Sequence, residues 1–180
     1  MKMRVIQIIE QAADTYHGLR KNPHVSLFLE NVANECVAAV RAGGTILLAG
    51  NGGSASDAQH IAAELVGRFK LERNPIPAIA MNTDSSVLTA ISNDFGFEHI
   101  FARQIQAYGK ENDILILIST SGRSTNILAA KHMARQRGMK VIIFDQTYID
   151  STNTARIQEC HILFGHIICE LIESKLQEEN

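Results

Sequence analysis

The chain contains no tryptophan, only three prolines and three cysteines, and its aromatic content is 6%. Cys36, Cys160 and Cys169 form no CxxC pair; their odd number and apolar neighbours predict reduced, buried thiols in a reducing compartment. Neither sign of charge dominates. Seventeen basic residues face 19 acidic ones, for a net charge of −2. This excludes a basic surface built for bulk nucleic-acid binding, and no nucleic-acid partner is expected. Long hydrophobic runs are missing too. The longest clean one, Ile114–Ile118, is far too short to span a bilayer, so no membrane partner is expected. The opening MKMRVIQIIEQAAD mixes charge with apolar residues and has no signal-peptide h-region, which predicts a cytoplasmic protein. There is no internal repeat and no low-complexity tract. With 46% hydrophobic residues among 180, the chain can bury a sizeable core without a disulfide or metal staple.

Hydrophobic spacing then sets the order of elements. Val5, Ile8, Ile9, Ala12, Ala13 and Tyr16 recur at helical spacing, and Pro23 ends that pattern. Leu27, Phe28, Val32, Cys36, Ala39 and Val40 mark a second helix, stopped by Gly43-Gly44. This pair, residues 1–43, precedes every strand and suits either an oligomer interface or a cover for one sheet face. Residues 44–180 read as an α/β core. Strands are expected over Thr45–Ala49, Ile76–Met81, Ile114–Ser119 and Val141–Phe144. Helices are expected over Ser56–Phe69, Ser85–Ser92, Glu98–Tyr108, from the TSGRS loop to Arg137, and over Thr154–Gln177. Short buried strands alternating with helices mean a central parallel sheet covered on both faces. Ligands of such sheets sit beyond the carboxyl ends of the strands.

Two strand-to-helix loops lie at such ends: Gly50-Asn51-Gly52-Gly53-Ser54, and Ser119-Thr120-Ser121-Gly122-Arg123-Ser124. A helix start offers unpaired N–H donors and partial positive charge, glycine permits close approach, and hydroxyls add donors. Helix capping accounts for an isolated Ser/Gly loop. Four hydroxyls in six residues after a buried strand point further, to a phosphate cradle. Neither loop matches a P-loop or a dinucleotide fingerprint, so a nucleotide is disfavoured. His60 and Glu64 lie four apart on one helix face, where they can bind a divalent metal, share a proton, or form a solvated pair. The last helix interleaves Arg156, Gln158, Glu159, His161, His166 and Glu170 with a dense apolar stripe. Gln158 and His166 are separated by about 12 Å of rise and about 80° of rotation, so one metal reaches both only if their side chains lean inwards. Asn93-Asp94 is a polar pair at a helix end, explained by turn chemistry or by substrate contact.

Taken together, AGNGGSASDAQHIAAELVGRF, AISNDFGFEHIFARQI, ISTSGRSTNILAA and TARIQECHILFGHIICELIE resemble the sugar isomerase (SIS) family. Within it they resemble the phosphoheptose isomerases, over residues 25–173. The resemblance implies a three-layer α/β/α sandwich with a central parallel sheet. It also implies a homotetramer with active sites at subunit interfaces, and conversion of sedoheptulose 7-phosphate to D-glycero-D-manno-heptose 7-phosphate for lipopolysaccharide heptose. By position, Asn51, Gly52, Gly53, Ser54, Asn93, Asp94, Ser119, Thr120, Ser121 and Ser124 match substrate contacts, with Glu64 and Gln158 at the sugar. His60, Glu64, Gln158 and His166 match a Zn2+ set, one ion per subunit. Glu64 and His166 also match the acid–base pair. Two alternatives stand beside this reading: a non-enzymatic SIS adaptor for the bacterial replication initiator, and an isomerase of another phosphosugar. Retention of both Glu64 and His166 favours catalysis over an adaptor.

One departure stands out. The family usually has a Gly-rich loop, a short helix and another strand after the stretch matching Val141–Phe144. Here only Asp145–Asn153 separates Phe144 from the last helix. Either a strand is lost or a mobile loop is absent from this sequence; the strand-like character of Asp145–Ser151 favours the second.

Overall fold

The computed structural model describes residues 2–177. Its elements run α1 (Lys2–Lys21), α2 (Pro23–Arg41), β1 (Ile46–Gly50), α3 (Gly53–Val66), β2 (Ala78–Ala80) and α4 (Ser85–Phe95). Then follow a 3-10 turn at Phe97–His99, α5 (Ile100–Tyr108), β3 (Ile114–Ile118), α6 (Thr125–Gln136), β4 (Lys140–Phe144), a 3-10 turn at Gln146–Tyr148 and α7 (Thr154–Gln177). The sheet is parallel throughout, in the order β2-β1-β3-β4. Ile46 pairs with Ile114 and Ile114 with Lys140.

The pleat divides the core into two layers. Ile46, Leu48, Ile114, Ile116 and Ile118 point towards α2, α3 and α7, where they meet Val32, Ile61, Phe164 and Ile168. Leu47, Ala49, Leu115 and Leu117 point the other way, onto Phe101, Ile105, Ile127 and Ala130 of α5 and α6. Every residue of β1 and β3 is buried, as their uninterrupted apolar sequences require of central parallel strands. This is the expected three-layer sandwich.

Local chemistry sets the boundaries. Pro23 does not merely end α1: it opens α2, with Asn22 as the capping residue accepting from His24 N–H. Among the described residues no helix is long and apolar enough to cross a membrane. α1 lays few residues on the body and leaves Val5, Ile6, Ile8 and Ile9 exposed. Between α1, α2 and α7 runs a groove of about 460 Å³, lined by Tyr16, Leu19, Val25, Leu29, Phe164 and Ile167 among others.

The strand expected at Asp145–Ser151 is not formed. A parallel neighbour of β4 needs a crossover of a dozen residues, and Asp145 follows β4 directly. The segment makes a 3-10 turn instead, with Asp145 accepting from Thr147 N–H at 2.8 Å.

Candidate active site

A close crossing of α3 and α7 builds the site. A β-carbon at Gly165 would lie 2.5 Å from Cδ1 of the buried Ile61, so glycine there lets the helices cross without displacing that side chain. The next residue, His166, is thereby carried onto the face of α3 that holds His60 and Glu64. His60 Nε2 lies 3.0 Å from Glu64 Oε1 and 3.1 Å from His166 Nε2. His166 Nε2 lies 3.5 Å from the same Glu64 oxygen. Glu64 is the sheltered member, its side chain 14% exposed, against 52% for His60 and 39% for His166. The Cys169 thiol faces Glu64 from below; burial first, and this carboxylate second, push the thiol far up.

These three side chains offer one nitrogen, one oxygen and one nitrogen, all within 4.8 Å of one another. Imidazole and carboxylate donors so gathered fit a divalent ion such as zinc. Gln158, the fourth expected ligand, is held elsewhere: its Nε2 donates to Asp57 Oδ1 at 2.6 Å, and its stem packs against Gly53. Asp57 is buried, and burial raises its carboxyl above the ordinary range, opposed by the Gln158 hydrogen bond and by His60.

From Gly53 the site continues into the two loops. Gly52 takes a positive φ of 57°, which turns the chain from β1 into the first turn of α3. Asn51 and Asn126 exchange two amide hydrogen bonds of 2.8 Å, tying the first loop to the start of α6. Asn82 Nδ2 donates to Gly50 O at 2.6 Å from the end of β2. In the second loop the buried Ser119 Oγ accepts from Gly122 N–H, and Ser121 Oγ accepts from Arg123 N–H, both at 3.2 Å. Thr120 and Ser124 are half-buried and Ser121 is exposed. Ser124 occupies the cap position of α6 without a side-chain capping bond. Ser54 is buried in the first turn of α3. Asn93 and Asp94 are exposed in the last turn of α4, where Asn93 donates to Asp94 at 2.8 Å. The structure pairs them with each other, not with the other candidates.

Several contributors escape sequence reading. Asn126 looks like one more residue of a helix start, although it stands two positions after Ser124. Asp57 is one turn before His60. Glu173 lies two turns after His166, and a carboxylate on that buried stripe signals a partner. Its oxygens accept from the N–H groups of Phe69 (2.8 Å), Lys70 (2.8 Å) and Leu71 (3.1 Å), and from Arg73 Nε at 2.9 Å. Burial alone would raise the Glu173 carboxyl; the backbone donors and Arg73 outweigh it and hold the group below the ordinary carboxylate range.

Residues 9–144 match the SIS domain family. A phosphoheptose isomerase of Roseiflexus sp. (strain RS-1) is 51% identical, with 82% of each chain covered. The chain belongs to the phosphoheptose isomerase family. The structure of a phosphoheptose isomerase from Neisseria gonorrhoeae superposes with a TM-score of 0.86 at 36% identity, covering 96% of this chain and 98% of that one. A phosphoheptose isomerase from Francisella tularensis gives 0.89 at 34% identity, covering 95% and 97%. The sheet order and the α3–α7 crossing therefore belong to a phosphosugar isomerase fold.

Proposed function

We propose that the chain converts sedoheptulose 7-phosphate into D-glycero-D-manno-heptose 7-phosphate, an aldose–ketose isomerisation that begins heptose precursor synthesis for lipopolysaccharide in the cytoplasm. The observation that carries this reading is the meeting of Glu64 and His166 across the α3–α7 crossing. The reaction is redox-neutral overall. Glu64 removes a proton from C1 of the ketose and returns it to C2, passing through an enediol(ate). His166 opens the ring and moves a proton from O1 to O2, a role suited to imidazole. Ser119, Thr120, Ser121 and Ser124, with the backbone and side chains of Asn51, Gly52, Gly53 and Ser54, hold the phosphate. Anchoring the far end of the sugar brings its reacting carbons to Glu64. Asn93, Asp94 and Gln158 contact sugar hydroxyls.

His60, Glu64 and His166 would hold one Zn2+, with Gln158 joining if its amide leaves Asp57. When bound, the ion polarises the substrate carbonyl and steadies the developing oxyanion.

The working form is a homotetramer with active sites at subunit interfaces. The exposed apolar face of α1, the groove beside it, and the half-exposed rings of His60 and His166 support this assembly. The test of function is a panel of ketose phosphates of five, six and seven carbons, with products identified by NMR. Turnover of the seven-carbon substrate alone is expected. Turnover of only a five- or six-carbon ketose phosphate would reassign the substrate. No turnover together with capture of the replication initiator would favour an adaptor.

A further inference from the structure

We propose that the buried Arg73–Glu173 ion pair is a positioning device that sets Glu64 against His166; this deepens the isomerase reading and rests on it. Neither residue belongs to the groups that face substrate. α3 ends at Val66, so the carbonyls of its last turn lack partners within the helix. The Arg73 guanidinium supplies them, donating to Glu64 O at 2.9 Å and Leu65 O at 2.8 Å. Its positive charge also suits a helix C-terminus. Through its Nε it is bound to Glu173, seven residues beyond His166 on α7.

Glu173 completes the frame from the other side. Its Oε1 accepts from Phe69 N–H, and the Phe69 ring stacks parallel to the His166 imidazole, centroids 5.7 Å apart and planes 6° from parallel. One ion pair thus holds the backbone of Glu64 through Arg73 and the ring plane of His166 through Phe69. The two side chains are 10% and 1% exposed. A buried ion pair is often replaceable by apolar residues without loss of stability. Its presence on an otherwise apolar stripe therefore points to geometry as its purpose. The site's tolerance for error is small, because misplacement by about 1 Å can cost about a hundredfold in rate.

The test uses the full chain and two variants. Phe69→Leu keeps the backbone N–H on Glu173 and the ion pair, but removes the stacked ring. Glu173→Gln keeps one acceptor oxygen and turns an NH2 group towards backbone donors. Far-UV circular dichroism establishes that each is folded. Zinc affinity is then measured by competition with a chromophoric chelator, and kcat and KM with the seven-carbon ketose phosphate. Both variants are expected to bind zinc about tenfold more weakly, as losses of supporting contacts around metal ligands do. In both, kcat falls about tenfold while KM stays within twofold, because the phosphate loops are untouched. Zinc affinity and kcat within twofold of the unmodified chain in either folded variant would overturn the proposal. If Glu173→Gln does not fold, Phe69→Leu decides. An unmodified chain that binds zinc but does not turn over the sugar phosphate defeats the isomerase reading instead, and the zinc arm alone then decides the role of the ion pair.

Discussion

The Nε2 atoms of His60 and His166 face each other at 3.1 Å, with one oxygen of Glu64 within 3.5 Å of both. One ring donates to the other only when the two imidazoles hold opposite tautomers, whereas a cation placed among the three accepts a lone pair from each. Zinc added to metal-stripped protein is therefore expected to raise the melting temperature. At a free concentration a hundred times Kd the gain is about 2.7 kcal/mol, or about 5–10 °C for a chain of this size. His60→Ala abolishes the shift. An equal shift in that variant, read by differential scanning fluorimetry, would place the ion elsewhere.

Asn126 ties the Asn51 loop, to which we assign phosphate contacts, to the start of α6 through its paired amide bonds with Asn51. Asn126→Leu leaves the Asn51 amide without that partner, at a cost of about 1–3 kcal/mol. KM for the sugar phosphate is expected to rise about tenfold, with a smaller change in kcat. Asn126→Asp, which retains one acceptor for Asn51 Nδ2, should fall between. Steady-state kinetics check the ranking.

The thiols are protected by burial. Burial, followed by Glu35, raises Cys36 to about 12, and burial with Glu159 raises Cys160 to about 11. At pH 8 the thiolate fraction of Cys160 is about one in a thousand, and that of Cys36 is smaller. Native protein is expected to release no chromophore rapidly from a disulfide reagent. Denatured protein should titrate all three cysteines.

Acid should weaken the fold in two stages. Burial holds the His161 imidazole below its ordinary range, against the raising effect of its hydrogen bond to Asp145 O. The unfolded chain then binds a proton there more readily, so stability falls as pH drops through about 6.5, the unfolded value. Glu173 is held low when folded. Its contribution is complete above the unfolded value of about 4.3 and is lost as pH falls through the lower folded one. Melting temperature against pH should show both declines. In His161→Gln, whose amide can still donate to Asp145 O, the upper decline should vanish.

Much of this architecture is legible in residue spacing because buried parallel strands must be apolar throughout. Ile114–Ile118 is found where its run predicts it, and α7 spans the expected Thr154–Gln177. Element ends fare worse. At the β2 edge the expected Ile76–Met81 shrinks to Ala78–Ala80, whereas β4, the other edge, spans Lys140–Phe144. α3 stops at Val66, short of the expected Phe69, because Glu173 takes the next backbone donors from about a hundred residues away. Spacing could pair His60 with Glu64, but no spacing rule brings His166 to them. That contact depends on Gly165 and Ile61 meeting in space. The strand-like character of Asp145–Ser151 misleads for a different reason: the segment follows β4 directly and closes into a 3-10 turn.

The account depends most on Glu64 as the group that moves the carbon-bound proton. Glu64→Gln keeps the size and polarity of the side chain but cannot accept that proton. Incubated with sedoheptulose 7-phosphate and followed by NMR, the variant should keep its fold and oligomeric state, bind the sugar phosphate, and form no aldose above background. Formation of product at a rate near that of the unmodified chain would contradict the mechanism.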